Sequence, residues 1–580
     1  MRLDLLRQWS SFTFLNFTQF LGALNDNIYK LVVVFFLINL LGEGNSHIIL
    51  STTSALFVLP FLLFSAGSGV LADRFSKSNI IVLTKLLEVI TMGFGLFAFI
   101  FESVWATYFI LFLLATQSAI FGPSKYGIVP ELVPFDRITK ANGLLTSFTF
   151  VAIILGSFLA SFITDITNGD YIVASLFCLM VSIIGLITSF CIEYTPPSGA
   201  ETEFGIRVLH EIYSSLKIAK EQPSLLMAIM GSSFFLFLGA FVQLNIIPFA
   251  EESLGLNTVQ GGYLFLLTAL GIGSGAMIAA KISGNTVELG LAPLAGFGVT
   301  VTCYFIDYFS TSLGAILPLV VIVGMFGGMY QVPMDSYIQV ASPSHERGRI
   351  IAATNFLSFV GVLLASILIY LNKAVFGLSA DKGFILVGNI TLAFNLILTY
   401  VFFDYVARFL AMALARLHFR TSYEGTENLP DTPAIFVCSH TAWNDTLLML
   451  GGQRRRMRFF IEHELDHSPW LKRLYHLLRI VYVPAIEPLE HNQMCHTVMR
   501  NALNKGFSVC IFTTNPNVQE EIDKLRQSEN LNAFLDEKHF PVIPVTIEKG
   551  EKHKPHRFFM RQLNKIHVPA AVIFGSPVNV

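Results

Sequence analysis

Apolar runs of about 20 residues, each long enough to cross a bilayer, recur along the first 410 residues and then stop. The pattern predicts membrane spans over 12–40, 48–72, 79–101, 105–122, 143–165, 171–193, 226–249, 259–281, 288–307, 312–333, 351–371 and 384–406. A polar stretch, EYTPPSGAETEFGIRVLHEIYSSLKIAKEQP, fills the loop 194–225 and divides the spans into halves, 1–193 and 226–410. Beyond it the texture changes. YVARFLAMALARLHFRTSYEG sets Arg408, Arg416 and Arg420 among apolar residues and reads as an interfacial helix. Short strand-like runs then alternate with helical ones: AIFVCS, MRFFIEHE, RIVYVPA, FSVCIFTT, FPVIPVTI and AAVIFGSPV. The expected fold is therefore an all-α membrane domain of about 12 transmembrane helices over 1–410, in two six-helix halves, followed by a small cytoplasmic α/β domain over 411–580.

Composition supports the membrane reading: 53% of residues are hydrophobic and 13% charged, against roughly 25% charged in soluble domains. The net charge of -2 decides little, but its distribution does. Arg2, Arg7, Arg74, Lys77, Lys125, Arg137, Lys140, Arg207, Lys217, Lys220, Lys281, Arg347 and Arg349 lie on one set of loops. The opposite loops (GEGNSH, FES, DITNGD, AEESLGLN) carry no Lys or Arg; only the last, with Lys373 and Lys382, departs. Positive-inside asymmetry then places both termini in the cytoplasm, as expected for a multi-pass protein of a bacterial inner membrane. No cleavable signal peptide is visible, so MRLDLLRQWSSF leads into an uncleaved first span. Six cysteines form no CxxC or metal spacing and read as reduced, buried thiols. No metal site is expected, and no basic stripe joined to a binding module points to nucleic acid.

Within the membrane part the halves repeat: GSGVLADRFSKSNIIVL from Gly67 and GSGAMIAAKISGNTVEL from Gly273 both close an even-numbered span. Paired halves are the layout of a carrier that rocks about a midplane site. Span one contains LGALNDNIYK, where Asn25, Asp26, Asn27 and Lys30 interrupt an apolar helix. Charges at that depth pair with one another or face a cavity. Two readings stay open: an Asp26–Lys30 pair at helical spacing, or a polar lining to the substrate path. In FGPSKYGIVPEL, Lys125 sits at the end of span four, placed to snorkel or to meet a phosphate.

GVLADRFSKS resembles the signature of the major facilitator superfamily between spans two and three, with Gly69, Asp73, Arg74 and Lys77 in place, and Ser76 and Ser78 where glycine and a basic residue are usual. Such a glycine packs helices closely, and Asp73 is suited to accept bonds that break when a carrier opens. With LGALNDN, FGPSKYG and MYQVPMDSYIQVASPSHERGR, the first 410 residues resemble the lysophospholipid transporter branch of that superfamily. The resemblance implies movement of lysophosphatidylethanolamine-like lipids to the cytoplasmic leaflet.

The C-terminal part holds YEGTENLPDTPAIFVCSHTAWNDTLLML, with His440 five residues before Asp445 after a strand-like run. It resembles the glycerolipid (1-acylglycerol-3-phosphate type) acyltransferases, whose first block is N-H-x-S-x-x-D. The resemblance implies that His440 removes the proton from a lysolipid hydroxyl and that Asp445 orients the imidazole. Ser439 and Ala442 replace the usual Asn and Ser. The phosphate-binding block falls on Phe512, Thr513, Thr514, Asn515 and Pro516 and lacks its glutamate, glycine and arginine. Pro544 marks the fourth block, and Arg454, Arg455, Arg456 and Arg458 form a basic cluster expected to meet anionic lipid or an acidic carrier protein. The resemblance implies no bound cofactor and an acyl donor of the acyl-acyl carrier protein or acyl-CoA type. The longer fusions it resembles carry an acyl-activating part; if the chain is complete, activation is expected from a separate enzyme. Two alternatives remain: a transporter with a degenerate, lipid-binding or regulatory acyltransferase-like domain, and a proton-coupled exporter of small amphiphiles.

Overall fold

The structure, a computed structural model, describes residues 2–42, 45–200, 208–256, 258–284, 286–430, 432–439, 445, 448–449, 457–461, 481–482, 493–504, 507–513, 517–527, 540–549 and 568–577. The chain divides into two compact units, Met1–Phe402 and Phe403–Val580.

In the first unit the helices are α1 (Arg2–Leu41), α2 (Ser46–Arg74), α3 (Lys77–Ile100), α4 (Val104–Gly127), a short α5 (Val129–Leu132), α6 (Ile138–Ile166), α7 (Tyr171–Ser189), α8 (Val208–Lys220), α9 (Pro223–Leu254), α10 (Thr258–Ser283), α11 (Leu291–Tyr308), α12 (Leu313–Ala341), α13 (Arg347–Tyr370) and α14 (Ala380–Val401). Twelve of these, all but α5 and α8, are long and apolar enough to span a membrane, one for each expected span. Exposed Phe, Leu and Ile side chains such as Phe94, Phe158, Leu364 and Ile397 cover the outside, as a lipid-facing surface requires. Each half has its own apolar core, one around Ile28, Tyr29, Val32 and Leu111, the other around Phe241, Phe249, Val320 and Phe384.

The halves meet where α2 crosses α13 and α6 crosses α10. Close approach is set by small residues. A Cβ on Gly69 would fall 2.6 Å from Ala352 Cβ, and one on Gly143 would fall 2.6 Å from Ala280 Cβ. Gly275, the repeat partner of Gly69, instead lies against the Met325 backbone of α12. The two lysines that break the loop-charge pattern are matched on their own side: Lys373 pairs with Glu252, and Lys382 with Asp307 at 2.9 Å.

The second unit begins with α15 (Phe403–His418), so the division falls after Phe402 instead of residue 410. The reason is contact with the sheet: Asp404 of α15 pairs with Arg458 on one of its strands. Strands follow as β1 (Phe419–Glu424), β2 (Ile435–Ser439), β3 (Met457–Ile461), β4 (Val481–Tyr482), β5 (Ser508–Thr513), β6 (Val542–Lys549) and β7 (Val568–Phe574), with α16 (Gln493–Asn504) and α17 (Val518–Gln527) between. The order is β1-β7-β6-β2-β5-β3-β4, parallel except for β6 with β7. Phe436, Cys438, Cys510 and Phe512 face one layer, while Ile435, Val437, Val509 and Ile511 face the other. Six of the seven strands match strand-like runs of the sequence, and β2 and β5, buried on both faces, read as continuous apolar runs. The exception is β1. FRTSYE continues the expected interfacial helix in sequence but pairs as an edge strand with β7. Its alternation of Phe419, Thr421 and Tyr423 is the period-two signal of a strand.

Candidate functional site

A cavity of about 190 Å³ opens between the halves of the membrane unit. Gln19, Asp26, Lys85, Gln117, Ser118 and Lys125 supply its polar wall from one half, and Asn355 and Phe359 border it from the other. A second cavity of about 150 Å³ shares Tyr126, Asn355 and Phe359 with it and adds Ser232, Gln331 and Asp335. The two spaces form one polar centre walled by both halves.

Asp26 accepts a hydrogen bond from Ser118 Oγ at 2.8 Å, which aims its carboxylate at α4. Across the centre, Asp335 accepts from Ser232 Oγ at 2.9 Å and from Gln331 Nε2 at 2.8 Å. Lys125 lies in the field of both carboxylates. Its ammonium sits 4.4 Å from the centroid of the Tyr126 ring and 5.9 Å from that of Phe121. One cation between acids from opposite halves has two of its three charges on the first half and one on the second.

The rest of the LNDNIYK stretch is dispersed. Asn25 turns inward and donates to Glu88 Oε1 at 2.9 Å. Asn27 donates to its own helix at Ala23 O, 2.7 Å away. Lys30 lies over the Phe57 ring at 5.1 Å. The Asp26–Lys30 pair is therefore not formed: the α4 hydroxyl takes Asp26 and the α2 ring takes Lys30. The charged residues that sequence reading missed here are Lys85 of α3 and Asp335 of α12, which line the cavities, and Glu88 of α3, which pairs with Lys85. Lys85 and Glu88 stand in TKLLEV within an apolar span, the same signal that exposed Asp26.

At the end of the unit that carries the α2–α3 connection, Asp73 binds the start of α13. Its Oδ1 accepts from Gly348 N at 2.6 Å and its Oδ2 from Arg349 N at 2.9 Å. The free amides and positive dipole end of a helix suit a carboxylate. Gly348 has to be small, since a Cβ there would lie 2.7 Å from Asp73 Oδ1. Lys77, fully buried, pairs with Glu131 at 2.7 Å. Arg74 is exposed beside the Phe75 ring. The helix α8 fastens over this crossing: Arg349 Nη2 donates to Ser214 Oγ at 2.8 Å and pairs with Glu211 at 3.3 Å, while Ile212 packs on Ala66 and Ala353.

In the second unit, β2 and β5 are adjacent and parallel, with Ser439 level with Thr513. The residues that follow, His440 on one strand and Thr514 and Asn515 on the other, lie outside the described residues, as do Arg454, Arg455 and Arg456. Ligands of open α/β sheets bind beyond the carboxyl ends of parallel strands, and both candidate segments leave from that end. Asp445 is helical and fully buried. Pro544 is level with Val437 on β6, inside the sheet, and its carbonyl accepts from Gly575 N at 2.9 Å. The GTENLP turn has a structural task. Gly425 has φ +69°, a conformation glycine takes without strain, and a Cβ there would strike the Phe574 carbonyl. Asn428 Nδ2 donates to that same oxygen at 2.9 Å. Arg458 is not part of a basic surface: it makes a two-point pair with Asp404 at 3.3 Å and stacks 4.2 Å over Phe507. The Cys510 thiol is held far above its ordinary pKa by burial, so it stays neutral.

Residues 15–366 match the family model described as Major Facilitator Superfamily. The chain belongs to the major facilitator superfamily. Residues 420–548 match the model described as Acyltransferase, so a second family's domain follows the first. Among named proteins, a lysophospholipid transporter LplT of Klebsiella pneumoniae is 27% identical over 353 residues, 60% of this chain and 84% of the relative. One from Photorhabdus laumondii is 27% identical over 289 residues, 49% of this chain and 69% of the relative. Among solved structures, the human organic anion transporter MFSD10 matches with a TM-score of 0.55 at 14% identity, over 67% of this chain and 99% of its own. The Escherichia coli fucose:proton symporter FucP matches with 0.54 at 12%, over 67% and 98%. These two share the fold.

Seen as a major facilitator, the protein puts its GVLADRF stretch at the junction of its halves. Asp73→Ala removes two charge-assisted bonds from the α13 amides, a loss of about 1–2 kcal/mol. The expected result is a looser crossing. It is read as faster maleimide labelling of a single cysteine at Ala353, buried under α8; an unchanged rate would contradict it.

Proposed function

We propose that the membrane unit carries lysophospholipid, of the lysophosphatidylethanolamine type, to the cytoplasmic leaflet, where the acyltransferase-family domain re-esterifies it. The observation that carries this reading is the polar centre between the halves, where Lys125 and Asp26 border one cavity and Asp335 the adjoining one, the two sharing Tyr126, Asn355 and Phe359. A zwitterionic headgroup needs both signs: a cation for its phosphate and an acid for its amine. The likeness to LplT carriers, over 84% of one of them, supports the same substrate class. Asp73 at the α13 amides serves as the latch that opens as the halves rock.

For the second step, His440 takes the proton from the lysolipid hydroxyl, and the oxygen attacks the thioester carbonyl of the donor. The carbon–sulfur bond breaks, and the imidazolium returns the proton to the leaving thiolate. Asp445 holds the ring in its productive tautomer. The donor is acyl-acyl carrier protein or acyl-CoA. Holding both steps in one chain raises the local concentration of the transported lipid for the transferase. A second reading, in which the domain binds lipid without turnover, rests on Thr513, Thr514 and Asn515 standing where the phosphate-binding block belongs.

The deciding test is uptake of labelled lysophosphatidylethanolamine by proteoliposomes, alongside efflux of small amphiphilic dyes. Lysolipid movement without dye efflux is expected; dye efflux alone would favour an exporter. The loop charges support a bacterial inner-membrane protein with both ends cytoplasmic. A reporter fused after Val580 should be active in the cytoplasm, and activity confined to the periplasm would reverse the topology.

A further inference from the structure

Lys85 and Lys125 come from different helices, α3 and α4, yet approach the same aromatic ring. Their ammonium nitrogens lie 5.4 and 5.9 Å from the Phe121 centroid, and both side chains border the 190 Å³ cavity. Two like charges so placed repel each other in a medium that screens poorly. Lys85 is held there by a dedicated partner. Its Nζ pairs with Glu88 Oε2 at 2.6 Å, and the other carboxylate oxygen of Glu88 accepts from Asn25 at 2.9 Å. Lys85 and Glu88 are 2% and 0% exposed. The helix facing them is cut away to fit, since a Cβ on Gly22 of α1 would lie 2.4 Å from Lys85 Nζ. Lys125 differs: among the described residues no carboxylate lies within ion-pair distance of it, and its ammonium sits 4.4 Å from the centroid of the Tyr126 ring.

A buried ion pair has to justify the desolvation of both its ions. Here Glu88 and Asn25 fix one ammonium at the edge of a cavity whose other ammonium lacks an ion-pair partner. We propose that Lys85 and Lys125 together form the receptor for the substrate's phosphodiester, closing on it across Phe121, with Glu88 and Asn25 as positioning residues for Lys85. This rests on the lysophospholipid reading and adds to it the phosphate contact and the group that holds it. An anion between the lysines offsets their repulsion and gives Lys125 a direct ion-pair partner. Asp26 and Asp335 are left for the amine.

The test compares binding of 1-acyl lysophosphatidylethanolamine with binding of the matched monoacylglycerol, which lacks the phosphate, to the purified full chain in detergent. Wild type should prefer the phosphate-bearing lipid. The double substitution K85M/E88M removes the pair without stranding either charge, and should cut that preference about tenfold or more. K85Q/E88Q keeps the polar shape, covers the case in which the apolar pair does not fold, and should behave alike. Gly22→Ala pushes the ammonium aside and should move in the same direction. A wild-type preference retained by both double variants overturns the two-lysine receptor alone. A wild type with no preference overturns the lysophospholipid reading with it.

Discussion

Replacing His440 with alanine is expected to abolish acyl transfer and leave lysolipid uptake intact. Loss of general-base help costs about 10²–10⁴-fold, so little turnover should remain above background. Its place in the sequence argues for this. Strand β2 ends at Ser439, beside β5 ending at Thr513, at the end of the sheet where α/β domains bind their ligands, and His440 is the next residue in the chain. Asp445, five residues on in the sequence and fully buried, is the acid at the family's spacing. Asp445→Asn should also be severe, because an amide does not stabilise the imidazolium and favours the wrong tautomer. The assay is thioester-dependent acylation of lysophosphatidylethanolamine by the purified chain. Wild-type activity unaffected by His440→Ala would remove the histidine from the mechanism. A wild type without activity would move the domain to the lipid-binding reading, where glutamate at 514 with glycine at 515 is the repair to try.

The second large effect belongs to Asp26. Asp26→Ala should lower lysolipid flipping by about 10- to 100-fold at equal expression, as expected for losing a charge-assisted contact of about 1.5–3 kcal/mol. Lys30→Ala serves as the comparison. Because Lys30 lies over Phe57 and not against Asp26, its loss should weaken flipping much less. Equal effects of the two substitutions would mean that they act as a unit after all, contrary to the geometry.

That contrast marks what sequence could and could not convey. Twelve apolar runs fixed the spans, because a bilayer demands length and apolarity from each helix on its own. The strands β2 and β5 were legible for a similar reason: burial on both faces leaves a continuous apolar run. Partners were not legible. Asp26 and Lys30 have the spacing of a pair, yet Ser118 and Phe57, far away in sequence, claim them separately. Lys85 and Glu88 have comparable local spacing and do pair. Nothing local distinguishes the two cases. Arg458 likewise belonged by position to a basic cluster, until Asp404 and Phe507 proved to hold it. The edge strand β1 hid behind the helix before it, since its pairing with β7 depends on residues near the other end of the domain.

One measurement bears most directly on the joined activities. Labelled lysophosphatidylethanolamine is supplied to the outer leaflet of sorted proteoliposomes, with acyl donor present only on the side of the C-terminal domain, and diacyl product is followed over time. Wild type should form product; Asp26→Ala should form little, because the lipid does not arrive. His440→Ala should accumulate unesterified lysolipid on the domain's side. Wild-type rates of product formation by Asp26→Ala, from lipid confined to the far leaflet, would contradict the account.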